Sequence, residues 1–263
     1  MIYSPINPSD INTIQGVYAV KPSLPFTLGN EGVGEVQAVG DQVMNLKIGD
    51  WVIPSTNAWG TWRTHAIDES NRFRKISNDI CPIMASTLAV NPCTAYRMLK
   101  DYVTLVEGDT VLQNGANSAV GESVIQISRH LGLQTVNIVR SREKINELKE
   151  HLHALGANYV LTNEEFKTTQ LFKGQLSPPS LILNCVSGKA VIDLVKVAAN
   201  QATIVTYGGM SRQPLIVPTG PLIFKDLRFV GYWMTRWNWK HSDSLERFVF
   251  ISIPPLMVLR NPD

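Results

Sequence analysis

The chain has 263 residues, of which 44% are hydrophobic and 17% charged, and its formal net charge is +2. This length and apolar content suffice to bury a sizeable core in one large domain or two modest ones, which excludes a disordered chain. The charges are scattered without a basic block, so nucleic acid and anionic membrane are disfavoured as partners.

The three cysteines, Cys81, Cys93 and Cys185, lie far apart in the sequence. They have neither the paired spacing of a zinc site nor the density of a secreted disulfide scaffold, which favours a reducing compartment. No run of about 18 apolar residues is present to span a membrane, and the first residues lack the pattern of a signal or transit peptide. We interpret the five histidines as surface or helix residues, since none forms a constellation with Ser, Cys or carboxylates.

The first part of the chain predicts a small, irregular all-β unit. A Pro/Asn/Ser-rich loop is expected from Pro5 to Asp10. From Gly29 to about Arg74 glycines are frequent, and turns separate short strand-like runs such as Gly34 to Val39 and Asp50 to Pro54.

From about Asn91 the pattern changes to alternating strands and helices. Apolar residues at helical spacing predict helices after residue 119, from Ile145 to a stop at Gly156, and near 189–199. The predicted strands run from Asp109 to Asn114, Thr135 to Arg140, Tyr159 to Thr162, Leu181 to Val186 and Thr203 to Tyr207. Short β-α units in this order predict an α/β fold with a doubly wound parallel sheet. A last strand from Leu227 to Met234 is expected at the sheet edge, where a second copy could pair.

The first strand-to-helix turn of such a sheet receives a dinucleotide pyrophosphate, because free backbone N–H groups and the helix dipole point there. Here that turn reads NGANSAVG, Asn114 to Gly121, and glycine stands only at its second and last positions. The motif alone is weak, and an ordinary small-residue turn is the competing interpretation.

The second strand ends in VNIVRSRE, which places Arg140 and Arg142 where NADH enzymes have an acidic residue. Guanidinium groups match phosphate oxygens in charge and geometry, which indicates NADPH. The alternative is a solvated basic turn at a helix start. Tyr207 to Met210 follow a later strand, where glycines would let the backbone approach the nicotinamide, although a plain turn is equally compatible.

The stretch GNEGVGEVQAVG, Gly29 to Gly40, together with this nucleotide domain resembles the medium-chain dehydrogenase/reductase superfamily. Its zinc enzymes carry a histidine ligand where this chain has Asn30, and amides are poor zinc ligands, so the zinc-free branch is indicated and no metal is expected. Within it, INPSDINTIQGVY, GTWRT, NPCTAYRML, VTYGGM and IFKDLRFVGYWM are similar to the 2-enoyl thioester reductases of mitochondrial fatty acid synthesis, over about Ile2 to Arg247.

The resemblance implies a GroES-like β-rich catalytic domain at 1–92, a Rossmann domain binding NADPH at 93–238 and a divergent tail at 239–263. It implies reduction of enoyl-CoA or enoyl-acyl carrier protein, a homodimer and a mitochondrial location. Tyr18 matches the family's proton donor. The residues that match its NADPH contacts are Asn91, Asn117, Ser118, Ala119, Val120, Arg140, Ser141, Arg142, Tyr207, Gly208, Gly209, Met210, Tyr232, Trp233 and Met234.

The resemblance also implies that the catalytic domain is incomplete, because the family's first strands and a C-terminal cofactor-binding lysine have no counterpart here. A catalytically incomplete isoform or fragment that binds NADPH or a partner is therefore one alternative, and a quinone or other enone reductase is another. Without a transit peptide in the sequence, a cytosolic or nuclear location also stays open. Three tryptophans could line an acyl tunnel or simply pack in the core or between subunits: Trp233, Trp237 and Trp239.

Overall fold

A computed structural model describes residues 1–241, so the expected divergent tail falls almost entirely outside the described residues. The described chain forms two compact units, one of Met1–Cys93 with residues from Met234 onwards, and one of Thr94–Trp233. Residues 234–241 thus group with the first unit, whereas the sequence-based partition extends the second domain to residue 238. The Nδ2 of Asn238 donates to the Oδ1 of Asn57 at 2.7 Å, which ties this segment to the first unit.

The first unit contains a short helix, a three-stranded antiparallel sheet and the helices that follow it. Its elements are α1 (Pro8–Ile14), β1 (Gly34–Glu35), β2 (Trp51–Pro54), β3 (Phe73–Ile76), α2 (Pro82–Ser86) and the beginning of α3 (Asn91–Asp101). The sheet order is β1-β2-β3. Val33, Ile53, Ile76 and Ala85 form its buried core.

Two sequence-based predictions for this unit were wrong in detail. The loop expected from Pro5 to Asp10 is interrupted by α1, which starts at Pro8, a residue well suited to the first helical position because it has no N–H to satisfy. The strand expected from Gly34 to Val39 ends at Glu35. Beyond it, Val36 still bonds to the segment before β2: its N–H donates to Asp50 O and its carbonyl accepts from Gly49 N, both at 2.9 Å.

The second unit has the predicted alternation of strands and helices. Its elements, in chain order, are β4 (Thr110–Asn114), α4 (Ala119–His130), β5 (Gln134–Val139), α5 (Ile145–Leu155), β6 (Tyr159–Thr162), α6 (Asn163–Thr168), β7 (Leu181–Asn184), α7 (Ala190–Lys196), β8 (Thr203–Thr206), α8 (Thr219–Phe224) and β9 (Arg228–Gly231). The following α9 (Met234–Lys240) groups with the first unit. Gly156 caps α5 with φ 111°, as predicted.

All strand pairs of this sheet are parallel, in the order β6-β5-β4-β7-β8-β9. This is the doubly wound dinucleotide-binding order, which confirms the predicted fold class. One face buries Leu112, Ile182 and Ile204 with α7 residues, and the other packs Ile125 and Val139 against α5. Among residues 1–241, no helix combines the length and apolar character needed to cross a membrane.

The helix α6 was not predicted, although its start carries a recognisable signal. Thr162 Oγ1 accepts from the N–H of Glu165 at 3.2 Å, and the Glu165 carboxylate accepts from the N–H of Thr162 at 2.7 Å. This reciprocal capping box is the sequence pattern Thr-x-x-Glu, which stands in the printed sequence as TNEE.

Candidate active site

The centre of the six-stranded sheet is where β4 and β7 lie side by side and the chain connections leave in opposite directions. In open parallel sheets this switch point leaves a crevice at the carboxyl ends of the strands, where ligands bind. The residues that follow β4, β5, β7 and β8 all lie at that edge. The candidate site of the second unit is therefore built from these four strand ends.

The turn after β4 permits close approach of the backbone at two glycines. Gly115 has φ +62°, and a Cβ there would lie 2.3 Å from the Sγ of Cys185. A Cβ on Gly121 would lie 2.5 Å from the carbonyl oxygen of Ala116, so α4 packs directly against the turn. Both positions require glycine, which favours the dinucleotide interpretation over an ordinary small-residue turn.

The N-terminus of α4 points at this turn. Ser118 is the N-cap, and its Oγ accepts from the N–H of Gly121 at 3.2 Å. The first i to i−4 hydrogen bond of α4 runs from Glu122 N to Ser118 O. The N–H groups of Ala119 and Val120 lie before it, so the helix itself does not use them. Ala119 is exposed, while Asn117 and Val120 are half-buried. Free N–H groups and the helix dipole together provide an anion site.

The segment after β5 carries two exposed guanidinium groups, on Arg140 and Arg142, with the exposed Ser141 between them. The structure gives neither arginine an ion pair with any residue in 1–241. The helix α5 begins only at Ile145, so the arginines lie in the connecting loop and not in a first helical turn. Their charge is available to a phosphate group beside the ribose end of the site.

A buried amide network joins the ends of β4, β7 and β8, and sequence reasoning missed it. Asn114 Nδ2 donates to Asn184 Oδ1 at 2.8 Å, and Asn184 Nδ2 donates to Thr206 Oγ1 at 3.1 Å. Asn114 Oδ1 accepts from the N–H groups of Cys185 at 2.8 Å and Val186 at 3.3 Å. These bonds turn the chain out of the sheet, so β7 ends at Asn184 and not at Val186 as predicted. An Asn at the end of two apolar strands was the available signal.

Tyr207 places a buried phenol beside the turn. Its hydroxyl is inaccessible and makes no hydrogen bond within the described structure, although Ser118 and Cys185 lie next to it. Burial, reinforced by the adjacent Cys185 thiol, raises the pKa of Tyr207 well above its usual value, so the phenol stays protonated and able to donate. Such an orphaned donor is costly unless a ligand accepts from it.

The other predicted contacts of the second unit lie after β8 and β9. Gly208 packs close to the carbonyl of Cys185, whereas Gly209 faces open space and Met210 is exposed. The N–H of Met210 donates to Cys185 O at 2.9 Å. Tyr232 is buried, with its ring edge-on to Tyr102 at a centroid distance of 6.3 Å, and Trp233 is half-buried. Met234 is buried and begins α9 in the first unit.

These features fit a phosphorylated dinucleotide. The glycine turn and the N-terminus of α4 would hold the pyrophosphate, the two arginines would hold a ribose phosphate, and the Tyr207 phenol offers a donor with no partner among residues 1–241. No acidic side chain follows β5 before Glu143 to repel such a phosphate.

In the first unit, Tyr18 lies in the loop that leaves α1. The N–H groups of Val17 and Tyr18 both donate to Asn12 O, at 3.0 and 3.1 Å, which anchors the loop to the helix. The tyrosine ring is half-buried while its neighbours Val17 and Ala19 are exposed. Tyr18 therefore lies on a loop whose backbone is anchored to α1.

Both the NH₂ group and the oxygen of the Asn30 side chain form hydrogen bonds within the first unit. Its Nδ2 donates to Asp10 Oδ1 at 2.7 Å and Ser9 Oγ at 3.1 Å, and its Oδ1 accepts from Ala58 N at 3.1 Å. Burial raises the pKa of Asp10 against the opposing effect of these hydrogen bonds. Among residues 1–241 no group of three or more His, Cys, Asp or Glu side chains is arranged to hold a metal ion.

Next to it, Glu31 is a buried carboxyl that the sequence did not single out. Its Oε1 accepts from Asn7 Nδ2 at 2.8 Å, and its Oε2 accepts from Val90 N at 2.9 Å. Burial raises the pKa of Glu31 to about 8, in spite of these hydrogen bonds. Asn7 Oδ1 in turn accepts from Asn91 Nδ2 at 3.2 Å, which links the carboxyl to a predicted cofactor contact.

The cysteines stay outside the candidate chemistry. Cys93 and Cys185 are buried, and burial raises the pKa of Cys185, which disfavours the thiolate a nucleophile needs. Cys81 is exposed. Of the tryptophans, Trp237 is buried and stacks on His241 at a centroid distance of 4.1 Å, whereas Trp239 is exposed.

Two family models together match nearly the whole described chain. The alcohol dehydrogenase GroES-like domain matches residues 1–113, and the zinc-binding dehydrogenase model matches residues 119–248. A GroES-like unit followed by a doubly wound nucleotide sheet defines a medium-chain dehydrogenase/reductase.

The sequence is 49% identical over 255 residues to the mitochondrial enoyl-acyl-carrier-protein reductase of Rattus norvegicus, covering 95% of this chain and 68% of the rat protein. It is 49% identical to the human protein of the same name, covering 92% of this chain and 65% of the human one. The chain belongs to the mitochondrial enoyl-acyl-carrier-protein reductase family, and it spans about two thirds of the length of these relatives.

Solved structures give the same result. A mutant enoyl thioester reductase from Candida tropicalis superposes with a TM-score of 0.86 at 36% identity, over 93% of this chain and 74% of that one. The complex of Etr1p with NADP and crotonyl-CoA superposes with a TM-score of 0.86 at 37% identity, over 91% of this chain and 73% of that one. The predicted family resemblance is confirmed.

Proposed function

We propose that this chain catalyses the NADPH-dependent reduction of trans-2-enoyl thioesters, carried on coenzyme A or acyl carrier protein, to saturated acyl thioesters in mitochondrial fatty acid synthesis. The observation that carries the proposal is the 49% identity to the rat reductase over 95% of the chain. The exposed arginines after β5, Arg140 and Arg142, support the choice of NADPH over NADH.

The chemistry follows from the polarisation of the substrate. The thioester carbonyl withdraws electrons, so the β-carbon accepts a hydride and the electron pair of the double bond moves to the α-carbon and the thioester oxygen. NADPH, when bound, supplies that hydride. Tyr18 donates a hydrogen bond to the developing negative charge and then its phenolic proton to the α-carbon. Solvent returns the proton to Tyr18.

We assign cofactor binding to the residues named from the family resemblance. In the second unit these are the turn residues Asn117 to Val120, the loop Arg140 to Arg142 and the segments after β8 and β9. In the first unit they are Asn91 and Met234. Replacement of both arginines by alanine should weaken NADPH binding by more than about a hundredfold and leave NADH binding nearly unchanged, since each of the two charge-assisted hydrogen bonds contributes about 1.5–3 kcal/mol.

Among residues 1–241, β9 is the terminal strand of the six-stranded sheet, and this position supports a homodimer. On the adjacent α8, Leu222, Ile223 and Phe224 expose 38%, 64% and 85% of their surface. A terminal strand of a sheet beside exposed apolar side chains suits pairing with a second copy of this chain. Sedimentation of Phe224→Asp beside the native chain tests the assembly, and Met44→Asp, which changes a 93% exposed residue of the first unit, is the control.

The deciding experiment measures NADPH oxidation by the purified chain with trans-2-hexenoyl-CoA, compared with NADH and with Tyr18→Phe. Tyr3→Phe is a matched control, since Tyr3 is a half-exposed tyrosine of the same unit. Turnover that prefers NADPH and falls sharply only in Tyr18→Phe is the expected result. NADPH binding without turnover would instead identify a catalytically incomplete member of the family.

The same assay distinguishes enoyl thioester reduction from a second candidate activity, the reduction of a quinone. A putative NADPH:quinone reductase from Bacillus thuringiensis superposes with a TM-score of 0.76 at 26% identity, over 90% of this chain. Faster turnover of a quinone than of the enoyl thioester would favour that activity.

A further inference from the structure

We propose that Glu31 and Asn7 are positioning residues whose hydrogen bonds set the direction in which the Asn91 amide faces, and thereby the affinity for NADPH. The proposal rests on the proposed function in one respect, the assignment of Asn91 as a cofactor contact. The three side chains form a relay in which each step fixes the orientation of the next.

The relay begins at a group that only accepts when ionised. Both oxygens of Glu31 accept, one from the backbone N–H of Val90 and one from Asn7 Nδ2. Because an ionised carboxylate has no hydrogen to donate, the group of Asn7 that faces it must be the NH₂. Asn7 therefore directs its NH₂ group to Glu31 and its carbonyl oxygen to Asn91.

The direction of the Asn7 amide in turn determines the direction of the Asn91 amide. Its Nδ2 donates to Asn7 Oδ1 at 3.2 Å, and within residues 1–241 its Oδ1 accepts no hydrogen bond. Asn7 is 7% exposed and Glu31 1% exposed, so water does not compete with these bonds, whereas Asn91 is half-buried. The outward group is thus a carbonyl, suited to accept from a hydroxyl or amide N–H of the cofactor.

A change at Glu31 inverts the relay. In Glu31→Gln the single amide oxygen must accept from Val90, so the new NH₂ group donates to Asn7 Oδ1. Asn7 then turns its NH₂ group to Asn91, and Asn91 must flip to accept it. Its outward group becomes an NH₂ in place of the carbonyl. The volume and burial of the site stay nearly the same, so only the polarity changes.

A second change restores the direction. In the double variant Asn7→Asp with Glu31→Gln, the new carboxylate accepts both from the amide introduced by the glutamine substitution and from Asn91 Nδ2. Asn91 then faces as in the native chain, and the number of carboxyl groups in the cluster is unchanged. A purely structural role for Glu31 predicts that two changes in one buried cluster are worse than one.

Protonation of Glu31 gives the same inversion as the glutamine, because a neutral carboxyl has one acceptor and one donor. Burial raises the pKa of Glu31 to about 8, and Asp10 on α1 is the charged group that acts on it. The groups of Asn7, Ala89 and Val90 that contact the carboxyl do not titrate. The penalty of Glu31→Gln is therefore largest above that pKa and shrinks below it.

The test measures the dissociation constant for NADPH by fluorescence at about pH 9, one unit above the pKa, and again at about pH 6.5. Glu31→Gln should weaken binding roughly tenfold at the higher pH, the effect of one misdirected hydrogen bond, and much less at the lower. The double variant should recover most of the loss. Glu35→Gln, which neutralises an exposed glutamate of the same unit outside the relay, is the control and should change the affinity little.

The Asn91→Ala variant distinguishes a failure of the relay from a failure of the proposed function. If Glu31→Gln weakens NADPH binding equally with Asn91 present and absent, or if the double variant binds worse than the single one, the relay is overturned. An Asn91→Ala variant that binds NADPH normally also overturns it, while leaving the reductase activity intact. A native chain that binds no NADPH at all contradicts the proposed function itself.

Discussion

The side-chain amides of Asn114 and Asn184, 70 residues apart in sequence, are joined by a hydrogen bond of 2.8 Å at the point where β4 and β7 end. This bond lies at the switch point of the sheet. It holds together the two strand ends from which the phosphate-binding turn and the Cys185 segment depart.

Replacing Asn184 by leucine should lower the free energy of unfolding by about 2–4 kcal/mol, because buried donors on Asn114 and Ser187 lose their acceptor. Urea denaturation of the purified variant measures this loss. Thr206→Val removes one hydroxyl acceptor from the same network and should cost about 1 kcal/mol. Equal losses in the two variants would show that Asn184 does not organise the network.

Gly115→Ala should destabilise the second unit by about 1–3 kcal/mol and weaken NADPH binding, since it combines a positive φ with a Cβ 2.3 Å from the Cys185 Sγ. Thermal unfolding and cofactor titration check both effects. Gly220→Ala is the matched control, because that helical glycine of α8 has open space around it and should tolerate alanine. In a Cys185→Ala background the cost at Gly115 should shrink.

Tyr207→Phe should act in opposite directions on stability and on binding. The apo protein should become more stable by about 1 kcal/mol, since the variant removes a buried hydroxyl that has no hydrogen-bond partner among residues 1–241. NADPH binding should weaken, because the same hydroxyl is the donor offered to the cofactor. Tyr159→Phe, whose hydroxyl accepts from Gln175 at 3.3 Å, should not stabilise the protein. Unchanged NADPH affinity in Tyr207→Phe would remove the phenol from the site.

Glu31 should make the stability of the first unit depend on pH. Its pKa of about 8 in the folded chain lies above the unfolded value of 4.5, so the folded state holds a proton that the unfolded state releases between these values. The free energy of unfolding should therefore fall as pH rises from 4.5 to 8, by at most about 1.4 kcal/mol per pH unit from this group. Unfolding midpoints of the native chain and Glu31→Gln, measured from pH 5 to about 8.5, isolate the contribution. Parallel curves for the two would refute it.

The sequence by itself determined the fold class and the approximate elements of the second unit. The period of the apolar residues distinguishes helices from strands, because it records which face of each element is buried. The run YVLT gave β6 without error, and Gly156 marked the end of α5. The position of Arg140 and Arg142 after the second strand also followed from spacing alone.

Only the tertiary structure decided which polar groups meet. Asn114 and Asn184 become partners because parallel strands bring residues distant in sequence to one sheet edge, and no local pattern records that pairing. Glu31 reads as one residue of a glycine-rich stretch, yet burial against Asn7 and Val90 changes its pKa and its role. Burial and hydrogen-bond direction depend on every neighbour in space, whereas periodicity depends only on the neighbours in sequence.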